Sequence, residues 1–179
     1  MKVICISGKA QHGKDTTAGM IKEKLEASGR TVLVTHYGDL VKYICKTFFN
    51  WDGNKDAHGR SLMQYVGTDV IRAQAPDYWV QFIADMLTFF KDDWDYVLIP
   101  DARFPNEIDV MREKFGALHI RVVRPNFESP LTPTQQQHIS ETALDEYFPD
   151  WLFENSGDMD LLSETVNTWI KETTNEEKP

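Results

Sequence analysis

The stretch K-V-I-C-I-S-G-K-A-Q-H-G-K-D-T-T, residues 2–17, decides the fold. Its first five residues are an apolar run of strand length. Residues 8–15, G-K-A-Q-H-G-K-D, then fit the pattern G-x-x-x-x-G-K. At average residue usage, the three fixed positions match by chance on the order of 0.05 times in a chain this long. Placement adds to that. A strand directly before and a helix directly after is the setting in which backbone amides converge on a phosphate. Gly8 and Gly13 let the backbone turn its N–H groups inward. A helix beginning near Lys14 aims its positive end at the same anion, and Lys14 adds a mobile cation. Gly8, Ala10, Gln11, His12 and Gly13, with Lys14, Asp15 and Thr16, are therefore the candidate donor-phosphate residues.

Asp15 stands where such loops usually carry Ser or Thr, whose hydroxyl binds magnesium. A carboxylate beside polyphosphate needs a cation to neutralise it. Asp15 is expected to contact Mg2+, directly or through water, or to fix a group on the substrate side, with Thr16 touching phosphate. Helix capping is the alternative. N-K-D-A at 54–57 lacks the Asp three residues beyond Asn54 that guanine-reading N-K-x-D requires, which argues against a GTP-binding switch.

Working outward, hydrophobic spacing predicts helices over 14–28, 39–49, 60–74, 77–91, from Pro105 to Gly116, 141–147 and 158–172. Strands are predicted at 2–6, 31–36, 95–100, 117–123 and 151–155. Inward faces are expected from Leu40, Ile44 and Phe48, and from Trp79, Ile83, Met86 and Phe90. Strands alternating with helices imply one α/β domain over 1–179, a three-layer sandwich around a five-stranded parallel sheet. Residues 124–140 carry three prolines without helical period. A long irregular stretch in a compact domain is usually functional, and a lid is expected there.

The 179 residues are 41% hydrophobic and carry 19 basic against 28 acidic side chains, a net charge of −9. That surface repels nucleic-acid backbone and anionic membrane, so neither is an expected partner. No apolar run reaches the ~18 residues of a membrane span, and no signal-peptide cleavage site follows the first strand. Cys5 and Cys45, in apolar company, read as reduced core thiols of a cytoplasmic protein. Glu172, Glu176 and Glu177 read as a solvated tail.

Further candidates lie where open α/β sheets bind ligands, beyond the strand ends. In P-D-A-R-F-P-N-E (100–107), Asp101 is placed to act on a magnesium-bound water, and Arg103 to hold a phosphate in a bidentate fork. Glu107 reads as a first-turn helix charge. Arg72 in G-T-D-V-I-R (67–72), with Trp79 behind it, suits a phosphate plus a stacked base. Asp39 and Lys42 lie one helical turn apart after the second strand. Arg121 and Arg124 flank the start of the lid. A lid arginine would stabilise charge on a transferring phosphoryl group and exclude water. His138 and Glu141 at the lid's return are a weaker candidate base pair.

G-K-x-x-x-G-K-D-T, G-T-D-x-x-R with a following Trp, D-x-R-F-P-N-E, H-x-S-E and E-N-S-G together resemble the deoxynucleoside monophosphate kinases of bacteriophages, over roughly residues 3–165. That family carries aspartate at the Asp15 position. The frame is also similar to animal phosphomevalonate kinase, which has a second arginine where this chain has Phe104. The resemblance implies a P-loop kinase fold of the nucleoside-monophosphate-kinase kind, with an acceptor-binding region over 38–90 and a lid over 124–140. It implies ATP and Mg2+ as cofactors and a deoxynucleoside monophosphate as acceptor. By matching position, Lys42, Arg72 and Arg103 would hold the acceptor phosphate, and Arg121 or Arg124 would serve the donor. An enzyme acting on a non-nucleotide phosphate, or a nucleotide-binding module without catalysis, are the alternatives. The exposed aromatics expected around 60–90 suit a homodimer.

Overall fold

The computed structural model describes residues 1–175. Of the acidic tail, Glu176 and Glu177 lie outside the described residues. Five strands form one sheet: β1 (Lys2–Ser7), β2 (Val32–Val34), β3 (Tyr96–Ala102), β4 (Leu118–Val123) and β5 (Trp151–Glu154). Their order is β2-β3-β1-β4-β5, and every pairing is parallel. β1 is central, with Val3 opposite Val97 on one side and Ile4 opposite Leu118 on the other.

A parallel sheet covered on both faces needs strands that are apolar throughout. Alternate side chains of β1 enter different cores. Val3 and Cys5 join a cluster with Val97, Ile99 and Trp79, while Ile4 and Ile6 join one with Leu98, Phe153 and Trp169. The first face is covered by α2 (Gly38–Phe49), α4 (Tyr78–Phe89) and α5 (Pro105–Phe115). The second is covered by α1 (Lys14–Ala27) and α8 (Met159–Asn175), which supply Ile21, Leu25, Val166 and Trp169. This is the expected three-layer α/β sandwich.

Gly29 and Gly116, both with positive φ, follow α1 and α5 as their sequences suggest. α2 turns Leu40 and Ile44 toward the core as expected, with Val41 and Cys45 buried deeper, but leaves Phe48 71% exposed. α4 buries Trp79, Val80, Ile83, Ala84 and Leu87 and leaves Met86 and Phe90 on the surface. Both sequences are apolar on more than one face, so spacing alone does not select the buried one.

The helix expected over 60–74 begins earlier, as α3 (Ala57–Gln64), and widens into a π-helical segment, Tyr65–Arg72. Gly67 is buried there against Val41. Its carbonyl accepts from the Trp79 indole at 2.9 Å. The segment 124–140 contains a short helix, α6 (Pro133–Gln136), opened by a capping box at Thr132 and Gln135. α7 (Ile139–Thr142) follows, shorter and earlier than the predicted helix. Gln135 is buried and donates to the Ala57 carbonyl and the Ser61 hydroxyl at 3.0 and 3.1 Å, fastening this segment to α3.

Trp169 is fully buried and meets Phe153 edge-on at 6.3 Å. Trp169→Ala is expected to lower unfolding free energy by ~3–5 kcal/mol, measured as a reduced urea midpoint with an unchanged m-value.

Candidate active site

The loop between β1 and α1 is pinched by backbone. Gly8 has φ 147°, and a Cβ there would stand 2.3 Å from the Val122 carbonyl oxygen on β4. Gly13 has φ 98°, and a Cβ would stand 2.4 Å from Asn155 Nδ2. Neither position admits another residue without moving its neighbour. Asn155, just beyond β5, donates from Nδ2 to the His12 carbonyl at 3.0 Å, so the sheet edge braces the loop. Lys14 is buried, and its ammonium donates to the Gly8 and Lys9 carbonyls at 2.8 and 2.9 Å. Burial, seconded by the charge of Arg103, lowers its pKa to about 8. Gln11 and Thr16 are exposed on either side of this turn, and Ala10 is buried within it.

Asp15 is exposed at the start of α1 and meets His36 Nε2 at 3.1 Å. His36 Nδ1 lies 3.3 Å from Asp39, and Asp39 accepts from Lys42 at 2.7 Å. A charged chain, Asp15–His36–Asp39–Lys42, thus runs from the phosphate loop to α2. The hydrogen bond to Asp15 holds the His36 pKa above its ordinary value, and the same bond depresses Asp15. His36 had no motif to mark it. Asp101, at the end of β3, accepts from the Tyr37 and Gly38 amides at 2.9 and 2.8 Å, which fixes the start of α2. Burial raises its pKa, and the two amides oppose the rise.

Among the described residues, no three His, Cys, Asp or Glu side chains converge as a metal-binding group. Magnesium does not require one. It usually rests on one or two carboxylates, waters and substrate phosphates. Asp15, exposed at the start of α1, and Asp101, whose oxygens also accept from the Tyr37 and Gly38 amides, are the carboxylates that would complete such a donor set.

Two expected acceptor residues belong to the scaffold instead. Trp79 is 3% exposed, with its indole on Gly67, so it has no face for a base. Arg72 is buried and paired with Glu107, and also donates to the Pro76 carbonyl and Asn106 Oδ1 at 3.0 and 3.2 Å. Its guanidinium lies 3.9 Å from the centre of the Phe104 ring. These contacts occupy the fork that was expected to hold phosphate. Glu107 stands in the first turn of α5, as expected, at the N3 position. It is buried, and its second oxygen accepts from the Arg103 and Phe104 amides at 2.7 and 3.1 Å. Burial pushes its carboxyl up, while Arg72 and these amides oppose that.

Arg103 reaches a cavity of about 270 Å³ also lined by Gly8, Lys9, His12 and Arg121. Glu141 pairs with Arg103 and accepts from the Ala10 amide at 3.2 Å. Arg121, expected on the donor side, lines this cavity and donates from Nη2 to the Leu144 and Tyr147 carbonyls. Arg124 stays at the loop. Its amide donates to His12 Nδ1 at 3.2 Å, and its guanidinium lies 4.4 Å from the Phe127 ring centre. His138 faces Ser140 and, at 3.2 Å, Asp69, and so is not paired with Glu141 as a base.

Comparison with solved structures places the same fold in a sugar kinase from Janibacter sp. (TM-score 0.60, 15% identity, 96% of this chain and 95% of that one). The APS kinase of Mycobacterium tuberculosis also shares it (TM-score 0.54, 14% identity, 95% and 96%). In sequence, the deoxynucleotide monophosphate kinase of Enterobacteria phage T4 is 36% identical over 114 residues, 63% of this chain and 45% of that protein. The same-named protein of Escherichia phage RB69 is 33% identical over 114 residues, 63% and 44%. The match thus spans less than half the length of either relative. Residues 32–166 match the sequence profile described as deoxynucleotide monophosphate kinase. That is most of the chain, and the protein belongs to the deoxynucleotide monophosphate kinase family.

Proposed function

We propose that this protein transfers the terminal phosphoryl group of ATP to a deoxynucleoside monophosphate, giving the diphosphate, in the cytoplasm. Arg103 lines one cavity at the end of β1 and β3 together with Gly8 and Lys9, whose carbonyls hold the buried Lys14 ammonium, and this juxtaposition carries the reading. Transfer between phosphates asks the protein for positioning and charge more than for a base. The amides of residues 10–16 and Lys14 hold the donor phosphates. Arg103, with Lys42 at the far end of the His36 chain, holds the acceptor phosphate. Asp15 and Asp101 would hold Mg2+ together with the phosphates, and the ion would supply positive charge against the transferring group. Residues 38–90 form the acceptor region. Residues 124–140 cover the site, with Arg124 at the donor side. Arg72 and Trp79 shape the acceptor region from beneath.

The protein is further proposed to act as a homodimer. Tyr78, Phe82, Met86 and Phe89 recur at i, i+4, i+8 and i+11 on the outer side of α4, all exposed. An apolar stripe of this kind marks an association surface. Asp85, exposed on the same side of α4, lies 3.8 Å from Lys114, so its charge is offset within the chain and two copies of an acidic protein can meet there.

Three outcomes are expected. Mg-ATP with a panel of dAMP, dGMP, dCMP, dTMP, their ribo forms and phosphomevalonate releases ADP with one or more deoxynucleotides, and Lys14→Ala lowers that rate at least ~10²-fold. A flat panel would reject the reading. Mg-ATP affinity, measured by titration calorimetry, is full near pH 6 and falls as pH rises through about 8. The sign follows because the charged ammonium is the form that binds the anion. Lys14→Met removes both the fall and most of the affinity. Phe89→Asp converts a dimer to a monomer in sedimentation velocity, and leaves kcat within about threefold because the face lies away from the cavity.

A further inference from the structure

Glu141 has no part in the mechanism above, yet its carboxylate lies at the wall of the cavity and is 5% exposed. A buried carboxylate is tolerated only when its oxygens are paired. One oxygen meets Arg103 Nη1, and the other accepts from the Ala10 amide of the phosphate loop at 3.2 Å. An oxygen already on a guanidinium is a poor proton acceptor, so the arrangement speaks against a base. The same Nη1 also donates to the Ser140 carbonyl at 3.1 Å. Both Nη1 hydrogens are therefore used. The Nε–Nη2 edge is what Arg103 keeps for a ligand, and that edge is a side-on fork for two oxygens of a phosphate.

The backbone around Glu141 is tied to the same loop. Lys9 Nζ donates to the Glu141 carbonyl at 2.5 Å and pairs with Asp145. One turn back, His138 bonds Ser140 and reaches Asp69 in the π-helical segment. Glu141 thus joins the phosphate loop, Arg103 and the return of segment 124–140 at one carboxylate. An arginine side chain without such a partner samples many rotamers. A misplacement of ~1 Å in a reacting pair can cost 10²-fold in rate.

We propose that Glu141 is a positioning residue. It holds the Arg103 fork and the Ala10 amide in one frame, so that donor and acceptor phosphates meet at a set spacing. The proposal rests on the kinase reading for its catalytic consequence, and on the geometry alone for its effect on phosphate binding.

The test compares wild type, Glu141→Gln, Arg103→Gln and the double variant. Glutamine keeps an oxygen for the Ala10 amide and removes the charge that holds Arg103. For Glu141→Gln, kcat is expected to fall ~30–100-fold, while the Mg-ATP Kd without acceptor stays within about threefold. Adding Glu141→Gln to Arg103→Gln should lower kcat no more than about threefold further, because both act through one guanidinium. An unchanged kcat, additive losses, or a loss that follows ATP affinity or thermal midpoint would overturn the proposal. Binding of inorganic phosphate by calorimetry gives a readout without turnover. It should weaken ~10-fold in Glu141→Gln, and in the double variant no further than in Arg103→Gln alone. Tighter binding in Glu141→Gln would mean that the carboxylate competes for the phosphate seat, and would overturn the proposal. A wild type that binds phosphate but phosphorylates none of the panel rejects the kinase reading, and the phosphate titrations then still decide the role of Glu141.

Discussion

The end of β3 depends on one buried carboxylate. Glu107 takes Arg72 on one oxygen and the amides of Arg103 and Phe104 on the other. The π-helical segment is thereby locked to the residue that points into the cavity. A buried ion pair of this kind adds little net stability over a well-packed apolar pair, but breaking it by removing one partner costs roughly 3–5 kcal/mol. What it contributes is geometry. Arg72 lies over the Phe104 ring, and Asn106 reaches both the Arg72 guanidinium and the Pro76 carbonyl. The backbone of 103–107 is fixed before its side chains do anything chemical.

The sequence made the central unit legible because its signals are local. A strand, a glycine-framed loop and a helix lie within one contiguous stretch, and Gly8 and Gly13 adopt backbone angles that only such residues tolerate well. The strand count and the three layers followed from the same alternation. What stayed hidden was set by distant partners. Trp79 and Arg72 look like ligand contacts in a motif, yet Gly67 and Glu107 claim them. His36 acquires its role only when α1 arrives beside it, and Asn155, which E-N-S-G contains without showing a role, only when the phosphate loop does. Phe48 and Met86 sit at helical spacing on faces as apolar as the buried ones.

The electrostatic design is one of contrast. The molecule carries a net charge of −9, while Lys9, Lys14, Arg103 and Arg121 gather at one end of the sheet. Each is held by carbonyls or by a carboxylate, so none is a bare charge in a low-dielectric setting. A polyphosphate entering this region exchanges neutral or carboxylate partners for its own oxygens. Most of the cost of gathering the cations is met when the chain folds.

Both sulfhydryls of the chain are buried, and burial pushes the Cys5 thiol up to about 12 and raises that of Cys45 as well. Thiolate is the reactive form, so alkylating reagents and mild oxidants find little to attack on the native fold. The wild-type protein is in effect a cysteine-free background for spectroscopy. A fluorophore or spin label attached through a single introduced cysteine between 124 and 132 would report on that segment alone.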